Sequence, residues 1–574
     1  MDTKDLKDLK DSKDTTESHS EGYHTSIDLN ADTIIRMYDQ EKAERSSLES
    51  QWQTLATYTL PRKDDIMYKR TPEQKLDIEE VYDDTAIQAN ITLSNGLQTN
   101  LTPPNVKWFS LRARNEELNN LESVKEYFNL VSNQVFRTLT TSNFSEQMHE
   151  VYQDLGCFGT SCIFVDEDEK DDARFYALSI PHGIVIFEDN KRRVNKIIRS
   201  VEFTTMQALQ EFGDEAGETV NNAFKEKQYE KKHTFLHCVG ERYVREIGKR
   251  DSKNKPYYSH WVSKADRKIV KEGGYDEKPF FVTRFYKNDN SKYGYSPNMV
   301  CLPTIKSANR TMALLLQSSD KSVRPPLDVP YKGYMGTINL NPGKINYRRQ
   351  GVSDGDRLKP IETVGNFMLS IEALQSLQES IKRAYFVNMF LALEDRVNMT
   401  ATEVAERINE KMAQLGPALK RLENEMLQGI VHRVFMILIR TEKIPKPPPE
   451  LMEKADYDVI YTSRLELAQK MSEIQSVDGF MERIRVIASV FPEVLDNIDS
   501  DEVLKYYENA YSVPPLLTRR PEMVFEMRQE KQRLQQEQMM LNAGSIGAEA
   551  GQKMANAEMN RAKAQSMQNM AGQA

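Results

Sequence analysis

The sequence predicts an α+β protein that is predominantly helical. Apolar residues recur every three or four positions over Asp32–Leu60, Phe367–Leu391 and Val404–Ile430. Short β-rich runs separated by charged loops fill the stretch from Val106 to Phe285. Dense Pro and Gly breaks, at 325–365 and 445–449, divide the helices from one another. At 574 residues the chain exceeds what one hydrophobic core accommodates, so more than one domain is expected.

Residues 1–28 alternate Lys and Asp with few large apolar groups, a composition that cannot offset the entropy of ordering and predicts disorder. An amphipathic helical pattern begins near Asp32, with Ile34, Ile35, Tyr38, Leu48, Trp52, Leu55 and Ala56 on one face, and stops at Pro61. A second helix is predicted over Asp84–Leu101, ended by Pro103-Pro104. The runs GTSCIFVDED, GIVIFED, KIIRSVEF, FLHCVGERYVREI and YYSHWVS read as strands, with helices at Leu121–Leu139 and Met206–Phe212 between them. Charged loops such as Glu167–Asp172 suggest an exposed, mostly antiparallel sheet. Trp108 and Phe109, after the Pro-Pro turn, are expected to be core rather than base-stacking residues.

Ser296-Pro297 starts a helix that runs to about Ser322, since Pro suits the first turn and TMALLLQ gathers strong helix formers. A small β module follows, then a helix over Phe367–Leu391 with Ile371, Leu374, Leu377 and Ile381 as its apolar stripe. Beyond the loop LALEDRVNMTATE lies the longest periodic pattern, with Gly416-Pro417 placed to kink it and Thr400 or Thr402 to cap it. A strand at Tyr457–Thr462 and helices over Leu465–Tyr511 come next. The Gln/Met/Ala/Glu-rich end favours helix but offers little large apolar surface, so it needs neighbours.

The formal net charge of −9 excludes a uniformly basic nucleic-acid binder and restricts any DNA contact to local surfaces. Cys157, Cys162, Cys238 and Cys301 include one C-x4-C pair that a zinc site would have to complete from elsewhere; no metal or cofactor is expected. The charged N-terminus is no signal peptide and no stretch is long and apolar enough to span a bilayer, so synthesis in a reducing cytoplasm is expected. The chain has no phosphate-binding loop, no H-E-x-x-H and no G-x-S-x-G, and His182, His233, His237 and His260 read as packed or solvent-facing rather than as ligands. No catalytic residue is assigned. Asp83-Asp84 reads as a turn and helix start.

Six segments, in order from about Asp32 to Met523, resemble the head-to-tail connector, or portal, family of T7-like short-tailed bacteriophages. They are WQTLATYTLPRK, VYDDTAIQANITLSNGLQTNLTPPNVKWFSLRAR, DLGCFGTSCIFVDED, PFFVTRFYKNDNSKYGYSP, VNMTATEVAERINEKMAQLGPALKRLENEMLQGIVHRVF and PEVLDNIDSDEVLKYYENAYSVPPLLTR. The most specific are L-T-P-P before Trp108-Phe109, the Tyr293–Pro297 turn, and Thr400–Val404 leading to Gly416-Pro417; the family often has a basic residue where this chain has Tyr295.

The resemblance implies the portal fold with its wing, stem, clip, crown and C-terminal helical barrel or tail. Laid on this chain, it implies an arm at 1–28, a wing at 29–296, stem helices at 297–322 and 366–390 flanking a clip at 323–365, and a tunnel loop at 391–399. A long kinked helix at 400–445, a crown at 446–520 and a barrel helix or disordered tail at 521–574 complete the plan. It implies a homo-oligomeric ring of twelve subunits at one capsid vertex of the virion, made in the host bacterial cytoplasm, with no membrane partner. The implied partners are double-stranded DNA held without sequence preference, terminase, a tail adaptor protein, the major capsid and scaffolding proteins, and internal core proteins. The alternative from another class is a helical adaptor or scaffold protein of the virion without a DNA channel.

A DNA conduit needs enough cations to guide phosphates without trapping them. Lys382 and Arg383, following Glu372 and Glu379, would give a basic band beside an acidic one when repeated around a ring; a solvated or intersubunit salt-bridged face is the plain alternative. In the tunnel loop Leu391, Glu394, Asp395, Arg396 and Asn398 are candidates, Arg396 being its only base. In the clip Arg324, Lys332, Lys344, Arg348, Arg349, Arg357 and Lys359 outnumber the acids and suggest an adaptor or DNA-exit surface, or ordinary solvated turn charges.

Overall fold

The computed structural model describes residues 29–68, 80–119, 121–246, 249, 251–329, 334–335, 337–340, 344–347, 350, 359–361, 367–391, 415–452, 457–461, 477–491, 493, 498, 503–504, 506–507 and 521–571. The expected arm at 1–28 lies outside them. The chain divides into two units, Met1–Gln469 and Lys470–Ala574.

The first unit opens with α1 (Ala31–Glu44), capped by Asn30, whose side chain accepts the Thr33 amide, and α2 (Ser46–Thr59). The single helix predicted to run to Pro61 is therefore broken at Arg45. That side chain is buried and turns inward to bond the Ile184 carbonyl and the Tyr293 hydroxyl, which fixes its backbone outside the helical region. Next come α3 (Thr85–Leu101), β1 (Phe109–Ala113), α4 (Glu122–Thr141) and α5 (Phe144–Phe158). Gly159, at φ +77°, ends α5 where the backbone of Gly294–Ser296 leaves no room for a Cβ.

Two antiparallel sheets follow. The strands β2 (Thr160–Asp168), β3 (Asp172–Leu178) and β9 (Phe280–Arg284) form one in the order β3-β2-β9. The other has five strands in chain order, β4 (Ile184–Glu188), β5 (Val194–Thr204), β6 (Lys232–Glu241), β7 (Tyr257–Ser263) and β8 (Lys268–Tyr275). Between β5 and β6 lie α6 (Thr205–Phe212), with a capping box from Thr204 and Gln207, and α7 (Glu218–Lys225).

Strand alternation sends Ile198, Leu236 and Val262 to one face, where Ile34, Ile35 and Tyr38 of α1 cover them. Ile197 and Val239 point the other way, to Trp52 and Phe164, while Phe235 and Trp261 meet Phe212 of α6. On the smaller sheet Phe164 faces that layer and Ile163 and Val165 face the helices, so the sheet lies inside the fold. The sheets are thus antiparallel as expected but not exposed, because the amphipathic helices cover the apolar faces; the charged loop Glu167–Asp172 is only the β2–β3 turn. Trp108 and Phe109 are core, as read from the sequence.

Beyond the sheets are α8 (Pro297–Val323), β10 (Leu327–Asp328), β11 (Lys359–Pro360), α9 (Phe367–Ala384) and α10 (Val387–Leu391). The continuous helix predicted to Leu391 is interrupted after Ala384, where Phe386 adopts φ +58°. The long helix is described over residues 415–440 (α11), and its irregularity is a π-turn at Glu423–Leu427, downstream of Gly416-Pro417. Thr400 and Thr402 lie outside the described residues. The predicted strand near 457–462 is β12 (Tyr457–Tyr461), and its antiparallel partner is β1, some 350 residues earlier in the chain.

Ion pairs tie α11 to the sheets. Arg284, 3% exposed, pairs with Glu188 and, at 2.7 Å, with Glu425 in the π-turn. Arg433, fully buried, pairs with Glu277 at 2.7 Å, and Arg440 shares that carboxylate. In the second unit, a helix over residues 477–488 (α12) and α13 (Pro521–Ala571, 51 residues) are described.

His237 lies at the centre of the five-stranded sheet, stacked on Trp261 at 4.0 Å. Its Nδ1 accepts from Arg199 Nε (2.9 Å) and its Nε2 lies 2.8 Å from the Ser259 hydroxyl. Burial, then the Arg199 charge, hold the imidazole well below its ordinary pKa. The unfolded chain takes up a proton near the ordinary value of about 6.5 and the folded chain does not, so stability falls as pH drops through that value. The thermal midpoint is expected to be lower at about pH 5.5 than at about pH 7.5, with a smaller difference in His237→Gln; differential scanning fluorimetry of both proteins checks this, and an equal difference in the two would show that His237 is not the titrating group.

Candidate nucleic-acid interface

Those of the singled-out residues that the structure describes lie on or beside one feature, an antiparallel excursion that leaves the core along α8 and returns along α9. Its base is fixed first. Ser296 caps α8, accepting the Met299 amide (3.0 Å) and donating to the Cys157 carbonyl (2.8 Å), while Asn298 accepts from the Thr59 hydroxyl (3.0 Å).

The middle is held by buried amides. Asn309 Oδ1 accepts the backbone N–H of Tyr82 (2.7 Å) and Asp83 (3.1 Å), and its Nδ2 donates to the Glu80 carbonyl (2.8 Å). On the opposing helix Gln378 Nε2 donates to Asp83 Oδ2 (2.7 Å), whose other oxygen accepts the Thr85 amide. The turn and helix-start role expected of Asp83 is thus joined to a second task, crossing both helices of the excursion.

These contacts fix a register. Asn309 is level with Gln378, and farther out Leu327 pairs with Pro360 and Asp328 with Lys359. Each pair of numbers adds to about the same total, so the described helices and ladder share one antiparallel register. The inner half packs into the core through Cys301, Ile305, Ala308, Leu374 and Ile381, whereas every residue of Leu316–Arg324 is exposed. At the base, α10 turns back so that the Phe390 ring occupies the space a Cβ on Gly96 would need.

Lys382 and Arg383 are exposed on α9 and make no ion pair among the described residues. Glu372 is exposed, and Glu379 accepts from Asn388 Nδ2 at 2.6 Å. The register places Lys306 of α8 level with Ile381 and so beside these two cations, with Arg310 one turn farther out. Lys306 and Arg310 were not singled out in the sequence; their four-residue spacing on a helix almost without acids was the available signal. Arg324, Lys344 and Lys359 are exposed, whereas Lys332, Arg348, Arg349 and Arg357 lie outside the described residues. So do Glu394, Asp395, Arg396 and Asn398; Leu391 is the last residue of α10.

Among the described residues of this hairpin no side chains are arranged for covalent chemistry. Burial pushes the Cys301 thiol up to about 12 and the Tyr385 hydroxyl well above its ordinary value, so both stay protonated. Cys162 and Cys238 are likewise pushed up to about 12 by burial, and no group of His, Cys, Asp and Glu suited to a metal occurs among the described residues. No helix of the described residues is long and apolar enough to cross a membrane. What remains available is exposed positive charge on a rigid helical pair.

Removing the Asn309 amide leaves three backbone groups without their partner, of which the Asp83 N–H is buried. Asn309→Ala is expected to lower stability by about 1–3 kcal/mol in urea denaturation; a loss below about 0.5 kcal/mol would show the clamp to be dispensable.

Comparison with known proteins places these features in a family. The family described as "Bacteriophage head to tail connecting protein" matches residues 31–518. A "Probable portal protein" of Bordetella phage BPP-1 is 28% identical over 521 residues, covering 89% of this chain and 93% of that one. A "Portal protein" of Salmonella phage epsilon15 is 29% identical over 524 residues, covering 90% and 94%. A solved structure described as the neck of an empty GTA particle, computed with C6 symmetry, aligns with 12% identity over 66% of this chain and 80% of its own, at a TM-score of 0.33, too low to argue a shared fold.

Proposed function

This chain belongs to the family of bacteriophage head-to-tail connecting proteins, and from that membership we propose that it is a portal protein, a subunit of a ring at one capsid vertex through which DNA is packaged and ejected. The observation that carries this reading is the unbroken family match over residues 31–518. It spans the sheets, the α8/α9 hairpin and α11 together, so it cannot reflect one shared module.

Assembly has its own support in the physics of the monomer. The hairpin exposes Val323, Met335, Leu340, Ile345, Tyr347, Met368 and Leu369, each more than 60% accessible, around a ladder only two residue pairs long. An isolated ladder of that size is marginal in water, and so many exposed apolar groups favour burial against other copies. Helix α13 is exposed at its described positions over 523–536 and 552–565 apart from Val524, so its stability too is best supplied by neighbours.

The finer parts of the reading extend it to particular residues and partners. Twelve copies would close the ring, with Lys382 and Arg383 forming a basic band toward DNA beside an acidic band from Glu372 and Glu379. The exposed Arg324, Lys344 and Lys359 mark the end that would meet the tail adaptor or terminase, together with the other clip bases. Residues 391–399 would form the tunnel loop, and capsid, scaffolding and internal core proteins would meet the outer surface of a virion component made in the host cytoplasm. The reading assigns the chain no catalytic step, and a separate ATPase drives the DNA.

Negative-stain imaging with mass measurement of the purified chain tests the assembly: closed rings with a central hole of duplex width are expected, while dimers or rods would point to a scaffold. Lys382→Glu with Arg383→Glu is expected to impair DNA packaging or retention with rings intact, measured as packaged genome per particle. Unchanged packaging would remove α9 from the channel lining.

A further inference from the structure

Among the described residues nothing is packed over the outward face of α8, and its charge is one-sided. Taking 3.6 residues per turn, Lys306, Arg310 and Lys321 fall within an arc of about 60°, opposite the buried Ala308 and bordered on one side by the buried Ala313, and span about 22 Å of helix. Pro303 and Gln317 share the arc, Arg324 is the capping residue beyond it, and Asp320, the sole acid of the helix, falls about 40° outside it. All four cations are exposed, and none has an ion pair among the described residues. Helix α9 differs: its Lys382 and Arg383 are balanced by Glu372 and Glu379.

Cations in line on a rigid helix, with Asp320 the one carboxylate near them, are suited to a linear polyanion, since each contacts a phosphate and releases a counterion. We propose that the outward face of α8, through Lys306, Arg310, Lys321 and Arg324, is a track for the phosphate backbone of duplex DNA, and that this face, more than α9, supplies the chain's electrostatic hold on DNA. The contact is independent of sequence, because it offers charge without groups placed to read base edges. Its biological setting rests on the portal reading, but its chemistry does not.

The test is fluorescence anisotropy of a labelled duplex of arbitrary sequence with the full-length chain across a salt series, with ring formation imaged in parallel. Lys306→Glu/Arg310→Glu/Lys321→Glu is compared with Lys382→Glu/Arg383→Glu and with a charge-matched control at the exposed Lys225, Lys231 and Lys232, each changed to Glu. The α8 variant is expected to bind at least about tenfold more weakly and to lose roughly one unit of salt slope per phosphate contact removed, while the control binds like the parent. Equal losses in the α8 variant and the control would mean that only net charge matters, and a larger loss in the α9 variant would move the track to α9; either result overturns the proposal, as does a parent that does not bind. If the α8 variant loses its rings, the Gln substitutions at the same three positions are used, and ring loss there too makes this face a subunit interface and overturns the track. A parent that binds DNA through α8 but never forms rings would instead refute the portal reading alone.

Discussion

A buried carboxamide sets the geometry of everything that leaves the core. Asn309 satisfies two backbone N–H groups and one carbonyl of the segment before α3, and that segment's Asp83 reaches across to Gln378 of α9. Buried polar groups must be paired, so a slip of either helix by one residue would strand several of them at once. The hairpin is therefore locked in one register, and the pairing of Leu327 with Pro360 continues it outward. The level at which Lys306 meets Lys382 and Arg383 is a consequence of this clamp.

Charge is divided between two tasks. Inside, Arg284, Arg433 and Arg440 share carboxylates with β-strand and loop residues, and removing either member of such a pair would leave a buried charge uncompensated. These pairs hold α11 against β9 and the loop before it, and Arg440 also reaches Glu167 of β2; Glu425 acts from within a π-turn, where the wider backbone offsets the side chains that follow it. Outside, the cations of α8 and α9 have no such partners among the described residues. A single protein thus uses arginine as a structural tie in its core and as free charge on its projecting hairpin.

Much of the local structure was legible in the residues. The run Tyr257–Ser263 is a strand from first to last residue, Ser296-Pro297 starts α8, and Tyr457–Tyr461 is extended, because alternation, capping and proline act over a few neighbours. The breaks at Arg45 and Phe386 were not legible, since each depends on a distant contact: the carbonyl of Ile184 for Arg45, and the return of α10 onto α3 for Phe386. The charged residues before β3 read as a loop between exposed strands because the sequence does not say which helices will cover a sheet.

By itself the sequence determined the class of fold, the order of its elements, the absence of recognisable catalytic motifs and the family resemblance that comparison with known proteins upheld. Those properties reside in local periodicity and in short segments whose order is preserved. Only the tertiary structure decided that β12 pairs with β1, that both sheets lie beneath helices, and that Lys306 and Arg310 stand with Lys382 and Arg383 on one hairpin. Each of those joins residues far apart in the chain, and such pairings are selected by which apolar faces and buried polar groups satisfy one another in space, a choice no local pattern encodes.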